Sequence, residues 1–465
     1  MDAVARPAHP AAHHAERADG PRPLTGRLAA DSILVLYHAA AAPLRPAIAD
    51  HLDSIRRYSG RPCIYINLAV RSVPGWIHRA NVGLVVFHTT LLATRWHPEA
   101  FRRVAGRLGA LERLDCPRFA IPQDEFLNTD PLVDFLRRFR VSHVFTCAPA
   151  HEWQTIYGPL MAEGTGMTRV LTGYLERRTV RRIGQLAAES SERSIDVGYR
   201  SWQPEPWLGR HGMLKGWIAE RFLEEGRRLG LRTDISMRPE DTLLGDDWYR
   251  FLLRCRFTIG AEGGASILDR DGRIRDCVTR QRLEHAQASF AEIESSCFPG
   301  LDGTFDLRAI SPRHLEACAT RTPQILVEGA YNGILEAGTH YIPLRADFGN
   351  MSDALAAIAD GDQASEMAER AYRDVVATGS YTYESFVSTI LAALPARPGR
   401  EPARRSGADG AISAWARAAD GGSWAIVWLR HHVKRTTRTA LRSIGLLDAA
   451  KRARARWRSR GSRVG

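Results

Sequence analysis

Short apolar runs alternate with longer stretches in which apolar residues recur every three or four positions. SILVLY (32–37), CIYINLAV (63–70) and VGLVVFHTT (82–90) read as buried strands, the last ending in His88. Between them PLRPAIADHLDSIRRYS has helical spacing, and FRRVAGRLGALERL follows as a second helix. RFAIPQDEF (118–126) is a strand running into Asp124 and Glu125, and VSHVFTCAP (141–149) is another. A helical segment near 168–190 leads to IDVGYR (195–200), and the rhythm repeats. WQPEPWLGRHGMLKGWIAERFLEEGRRLGL turns from loop to helix, RTDIS is strand-like, DDWYRFLLRCRF is helical, and FTIGAEGGAS is a strand entering a glycine-rich turn. After a charged excursion over 269–300 come ISPRHLEACATRT, TPQILVEG and a helical finish over 351–396. Strands alternating with helices predict parallel, doubly wound sheets, here two of them, with a boundary near residue 190. Ligands bind at the C-terminal strand ends of such sheets, where His88, Asp124 and Glu125 fall.

Composition adds limits. The 465 residues suffice for two domains and a tail. No run of 18 apolar residues predicts a membrane-spanning helix. Residues 1–30 lack the apolar centre of a secretory signal and read as a disordered leader. Seven cysteines without a CxxC pair predict reduced thiols and a cytoplasmic setting rather than a disulfide framework or a zinc site. The net charge of +12 is local: residues 400–465 hold sixteen Lys/Arg against four Asp/Glu, which is the whole excess. A balanced body argues against a specific nucleic-acid-binding core. Residues 397–423 read as a Pro/Gly/Arg linker, and 424–465 as a basic amphipathic tail beginning with Trp424 and Trp428. Such a tail suits an anionic membrane surface, or is an unstructured appendage or a segment that sticks to nucleic acid.

The chemistry-bearing residues have bland readings beside the functional ones. No GxGxxG follows the first strand and no GxxxxGK[ST] is present, so nicotinamide, flavin and P-loop sites are unsupported. GAEGGAS, with Glu262, Gly263 and Gly264, lets backbone approach a ligand, or is merely a tight turn. SPRHLEA offers Ser311 as N-cap, Pro312 in the first turn, then Arg313, with Glu316 one turn in; free N–H groups there suit a diphosphate, or are ordinarily capped. Arg200 ends a strand and Lys215 follows a Gly/Pro/Trp loop, so both could meet phosphate, or water. His88, Asp124 and Glu125 are candidates for a general base or for sugar hydroxyls, or are structural and solvated groups.

Taken together, LEACATRTPQI (315–325) resembles the LEA…GTPVI signature of group 1 glycosyltransferases of GT-B fold. GYR…WLGRHGMLKGWIAERF, AISPRHLEA, ILVEGAYNGILEAGTHYIPLRADFGNMSDAL, FHTT, IPQDEF and VFTCAPAHEW are similar to a branch found in bacterial surface-polysaccharide clusters. The resemblance covers roughly residues 31–395. It implies two Rossmann-like domains facing a cleft, with 31–190 as the acceptor domain and 191–396 as the donor domain. It implies a nucleotide-diphosphate sugar as donor substrate, no further cofactor, no metal, and a glycan or lipid-linked acceptor. By resemblance Arg200 and Lys215 meet the diphosphate, Glu316 the ribose, and Ser311 stands where a glycine is usual. Eight positions before Glu316, where the signature has a first acid, stands Arg308. That departure keeps two other readings open: a non-catalytic sugar-nucleotide-binding or scaffold subunit, and an epimerase of the same fold. DRD (269–271) reads as a surface turn rather than a metal motif.

Overall fold

The computed structural model describes residues 32–189, 192–395 and 418–432. The residues expected as leader, most of those expected as linker and the end of the tail lie outside this set. Six parallel strands form the first sheet: β1 (Ser32–Tyr37), β2 (Cys63–Asn67), β3 (Val82–Phe87), β4 (Arg118–Ala120), β5 (His143–Thr146) and β6 (Gly166–Arg169). Their order is β2-β1-β3-β4-β5-β6. The central strands are buried on both faces, which is why they are continuously apolar rather than alternating. α1 (Pro46–Tyr58) opens with proline in its first turn and packs back on the sheet. α2 (Arg177–Glu189) follows β6.

The second sheet takes β7 (Ile195–Arg200), β8 (Thr233–Ser236), β9 (Cys255–Gly260), β12 (Gln324–Val327) and β13 (Ile342–Leu344) in the order β13-β12-β9-β7-β8, again parallel. α3 (Gly209–Leu229) links β7 to β8 and stops at Gly230, whose φ of 68° is the left-handed cap. α4 (Asp246–Arg254) precedes β9. Between β9 and β12 the chain makes an antiparallel hairpin, β10 (Gly263–Ala265) with β11 (Leu307–Ala309). The hairpin is interrupted by α5 (Arg273–Glu284) and α6 (Phe290–Cys297). α7 (Pro312–Ala319), α8 (Tyr383–Ala392) and a last helix, α9 (residues 418–432), complete the path.

The chain order of the domains is not their packing order. α2 precedes the expected boundary at 190, yet it buries Ile183 and Leu186 with Tyr249, Leu253 and Leu315 of the second domain. α8 does the reverse: Tyr383, Phe386, Val387 and Ile390 join Val35, Tyr37 and Leu52 in the core of the first. The excursion over 269–300 is charged and mostly exposed, but it is anchored at a few buried points. Ile267, Val278, Ile293, Phe298 and Phe305 share a core with Phe126, Leu127 and Leu132, so the second domain is buttoned onto the first. Asp269 is accordingly buried, not on a surface turn, and its carboxylate accepts from the Gly272 and Arg275 N–H groups. Its own backbone bonds to Phe126 and Asn128 across the seam. A disulfide joins Cys277 on α5 to Cys297 on α6, against the expectation of reduced thiols throughout. Sequence spacing carried no sign of it because the pairing is made by two helices meeting in space. α9 begins inside the stretch expected as linker, because Ala419, Ser423 and Val427 repeat every four residues and bury one stripe.

Candidate active site

A cavity of about 550 Å³ lies between the domains, at the C-terminal ends of both sheets. Its first-domain wall includes Ala47, Ile48 and His51 of α1, Thr90, Gln123 and Asp124. Arg200, Lys215, Trp248, Ser311, Arg313 and Glu316 face them from the second.

Lys215 sits in the second turn of α3, after the Gly/Pro/Trp loop has turned the chain back over the sheet. Burial first, and Arg313 second, lower its ammonium to about 8, with Asp124 opposing. A Cβ on Gly263 would stand 3.6 Å from its Nζ, so the glycine leaves that approach open. Among the described residues the Lys215 ammonium has no hydrogen-bond or ion-pair partner. Arg313, in the first turn of α7, donates to the Arg200 carbonyl at 2.6 Å and is otherwise exposed. The backbone N–H of Ser311 at the head of the same helix is held by His314 Nδ1 at 3.2 Å. Burial and the two nearby cations push the His314 imidazole down to about 3, so it is a neutral acceptor there. One turn on, Glu316 accepts from the Trp248 indole N–H at 2.8 Å. Burial raises its carboxyl to about 7, against the pull of that bond and of Arg313.

Arg200 reaches the cavity wall already occupied. Its guanidinium pairs with Asp234 at 2.7 Å, donates to the carbonyls of Tyr199, Asp234 and Asp241, and lies 4.4 Å from the Phe251 ring centroid. Those contacts engage four of its five N–H donors, so Lys215 and Arg313 are the less committed cations.

On the other wall Asp124 opens to the cavity from a left-handed backbone, φ 55°. The cause is Arg95, a fully buried guanidinium that donates to the carbonyls of Leu92, Gln123, Asp124 and Leu127 and so bends the loop. Burial raises the Asp124 carboxyl above the usual range, opposed by Arg95 and Lys215. Glu125 points the other way, into the first domain, where it accepts from Thr146 at 2.5 Å and from the Cys147 N–H at 3.2 Å. His88 does not reach the cavity; it is fully buried, with Nε2 2.8 Å from His51 Nδ1. Neighbouring residues at a strand end face opposite ways, which separates Glu125 from Asp124.

Glu262 is likewise not in this cavity. It accepts from the Ala330 and Tyr331 N–H groups at 3.1 and 2.7 Å, fastening the turn after β12. It lines a separate cavity of about 540 Å³ with His211, Trp217, Arg308 and Glu328. Arg308 pairs there with Asp306 at 2.6 Å. Gly264 is required by the backbone: its φ is 124°, and a Cβ would come within 1.8 Å of the Leu307 carbonyl oxygen. Sequence reasoning missed His51, Trp248, Arg95 and His314. Trp248, in DDWYRF, was visible as an aromatic on an amphipathic helix; Arg95 carried no signal, since a buried arginine looks like a surface one in sequence.

Two parallel-sheet domains facing a cleft, with the chain returning at its end to the first domain, define the GT-B architecture. Among solved structures the chain is similar to the Anabaena protein HepE in complex with UDP-glucose, at 12% identity over 78% of this chain and 100% of that one, TM-score 0.43. It is similar also to sucrose-phosphate synthase from Thermosynechococcus elongatus, at 8% identity over 78% and 98%, TM-score 0.44. A third is OtsA, at 9% identity over 80% and 100%, TM-score 0.43. No family model and no curated protein matches the chain.

Proposed function

We propose that the protein is a glycosyltransferase that takes a sugar from a nucleotide-diphosphate donor and passes it to a glycan or lipid-linked acceptor held against the first domain. The observation that carries the reading is the grouping of Lys215, which has no partner among the described residues, with Arg313, the head of α7 and Glu316 in one interdomain cavity. A departing nucleoside diphosphate gains negative charge in the transition state. Lys215, Arg313 and the helix dipole would stabilise that charge more than they stabilise the bound donor. In this reading those cations do the work a metal ion does elsewhere, and Glu316 receives the ribose hydroxyls. Asp124, across the cleft, is the carboxylate best placed to take a proton from the acceptor hydroxyl. Surface-polysaccharide synthesis at the inner face of the plasma membrane is the setting the sequence resemblance suggests for it.

A second reading, a non-catalytic sugar-nucleotide-binding subunit, is favoured by Arg308. It replaces the acid expected to touch the sugar and faces the neighbouring cavity. A panel of nucleoside diphosphates and their sugars tests both readings by thermal shift, followed by release of nucleotide from the stabilising sugar. Stabilisation with slow release supports the enzyme, stabilisation without release supports the subunit, and no stabilisation by any of them removes both.

A further inference from the structure

α9 closes the described chain with its two faces treated very differently. Ala419, Ser423 and Val427 are buried against the first domain. Asp420 accepts from the Tyr37 hydroxyl at 2.8 Å and pairs with Arg56 at 2.6 Å. Trp424, expected as part of an exposed apolar stripe, instead turns inward and stacks on Tyr37 with ring centroids 6.0 Å apart. The helix is thus docked and oriented, and its outer face is fixed by that docking. The outer face carries Ile426, Trp428 and Leu429, exposed to 38%, 54% and 58%. Only Leu283 among the large apolar residues described is more exposed than Trp428 and Leu429. His432 stacks on the Trp428 ring at 3.8 Å and holds the indole in place.

We infer that this face inserts into the interfacial layer of an anionic lipid bilayer. The charge of the adjoining chain selects that occupant. Residues 433–465 carry eleven Lys/Arg and one Asp, immediately after Arg430. A second copy of the chain docking on the same face would bring two such cationic segments together, and like charges oppose it. A nucleic acid would match the charge but leave Ile426, Trp428 and Leu429 without a function. A bilayer with acidic headgroups satisfies both halves, apolar side chains at the acyl boundary and cations among the phosphates.

The docking also fixes a direction. Arg56 lies near the C-terminal end of α1, while Ala47 and Ile48 in its first turn line the interdomain cavity. Nine residues of helix separate them, roughly 14 Å at 1.5 Å per residue. The point at which α9 docks is therefore about one short helix from the acceptor side of the cleft. That last step rests on the function proposed above; the membrane contact does not, because nucleotide binding in free solution tests the former separately.

The test is co-sedimentation of the full chain with vesicles of phosphatidylcholine alone or with 30% phosphatidylglycerol added. Parallel runs use Trp428→Ser/Leu429→Ser and, as a control for lost surface apolarity, Leu283→Ser. The expected result is partitioning only to the phosphatidylglycerol vesicles, reduced at least tenfold in the double variant and unchanged in the control. Both variants should melt at the parent temperature, since the replaced side chains face outward. Equal partitioning of the double variant, equal binding to neutral vesicles, or no binding by the parent overturns the inference. So does a parent that is dimeric by light scattering and becomes monomeric in the double variant, which would assign the face to a second copy.

Discussion

Glu316→Gln should make the protein more stable near pH 8 while weakening its grip on a nucleotide. Burial raises the carboxyl from 4.5 to about 7, so the folded protein keeps a proton that the unfolded chain has lost through that window. The unfolded state therefore binds fewer protons between about pH 4.5 and 7, and stability falls as pH rises through it, levelling off above. At about 1.4 kcal/mol per pH unit, the ionised carboxylate costs roughly 3 kcal/mol above pH 7. The side chain is partly open to the cavity, and the Trp248 bond is weaker to an amide than to a carboxylate. The net gain expected for the glutamine is then about 2 kcal/mol at pH 8 and close to nothing at pH 4.5. Urea unfolding of parent and variant at both pH values measures it. Isothermal titration with the diphosphate that stabilises the parent should show affinity reduced about tenfold, the loss of an ionised acceptor for hydroxyl donors. A variant no more stable than the parent at pH 8 would refute the claim that the cavity holds a strained acid. A stabilised variant with unchanged affinity would refute only the ribose assignment.

Lys215→Met should also stabilise the ligand-free protein near pH 7, by about 1–3 kcal/mol, because the parent ammonium is held down at about 8. Stability of the parent should rise with pH between about 8 and 10.5 where the variant's does not, and diphosphate affinity should fall at least thirtyfold by titration calorimetry. Gly264→Ala should cost about 3 kcal/mol or more in denaturant unfolding, since φ and the Leu307 carbonyl both exclude a side chain, whereas Gly303→Ala, with φ 80° and open space around it, should cost only about 1 kcal/mol. Cys277→Ser/Cys297→Ser should lose about 3 kcal/mol by the same measurement, because the bond closes a loop of 20 residues. Titration of the denatured, unreduced parent should find five free thiols.

The doubly wound pattern was legible because buried parallel strands are apolar on both faces, so IDVGYR and SILVLY stand out without any partner information. β6 (GMTR), β13 and the β10–β11 hairpin did not stand out: they are three or four residues long, only partly buried or glycine-rich, and exist because of the neighbours they pair with. Lys215, Ser311, Arg313, Glu316 and Asp124, singled out in sequence at strand ends, helix starts and in the motifs of the resemblance, all line the interdomain cavity. The same reading also selected His88 and Glu125, whose side chains turn inward. Which way a strand-end residue faces is set by the loop after it, and here a buried Arg95 sets that loop. Glu262 misled for a related reason: a carboxylate after a glycine-rich strand end can serve backbone N–H groups as readily as a ligand.

The return of α8 and α9 to the first sheet has a consequence for synthesis on the ribosome. Tyr37 waits for Asp420, 383 positions later, and for the Trp424 ring beside it. At roughly 5–20 residues per second that interval is about 20–80 s. Throughout it the face of the first sheet that ends at Tyr37 has α1 against it but lacks the last of its C-terminal cover. The domain made first is finished last, so the nascent chain must be kept from sticking to its neighbours until its own C-terminal helices arrive.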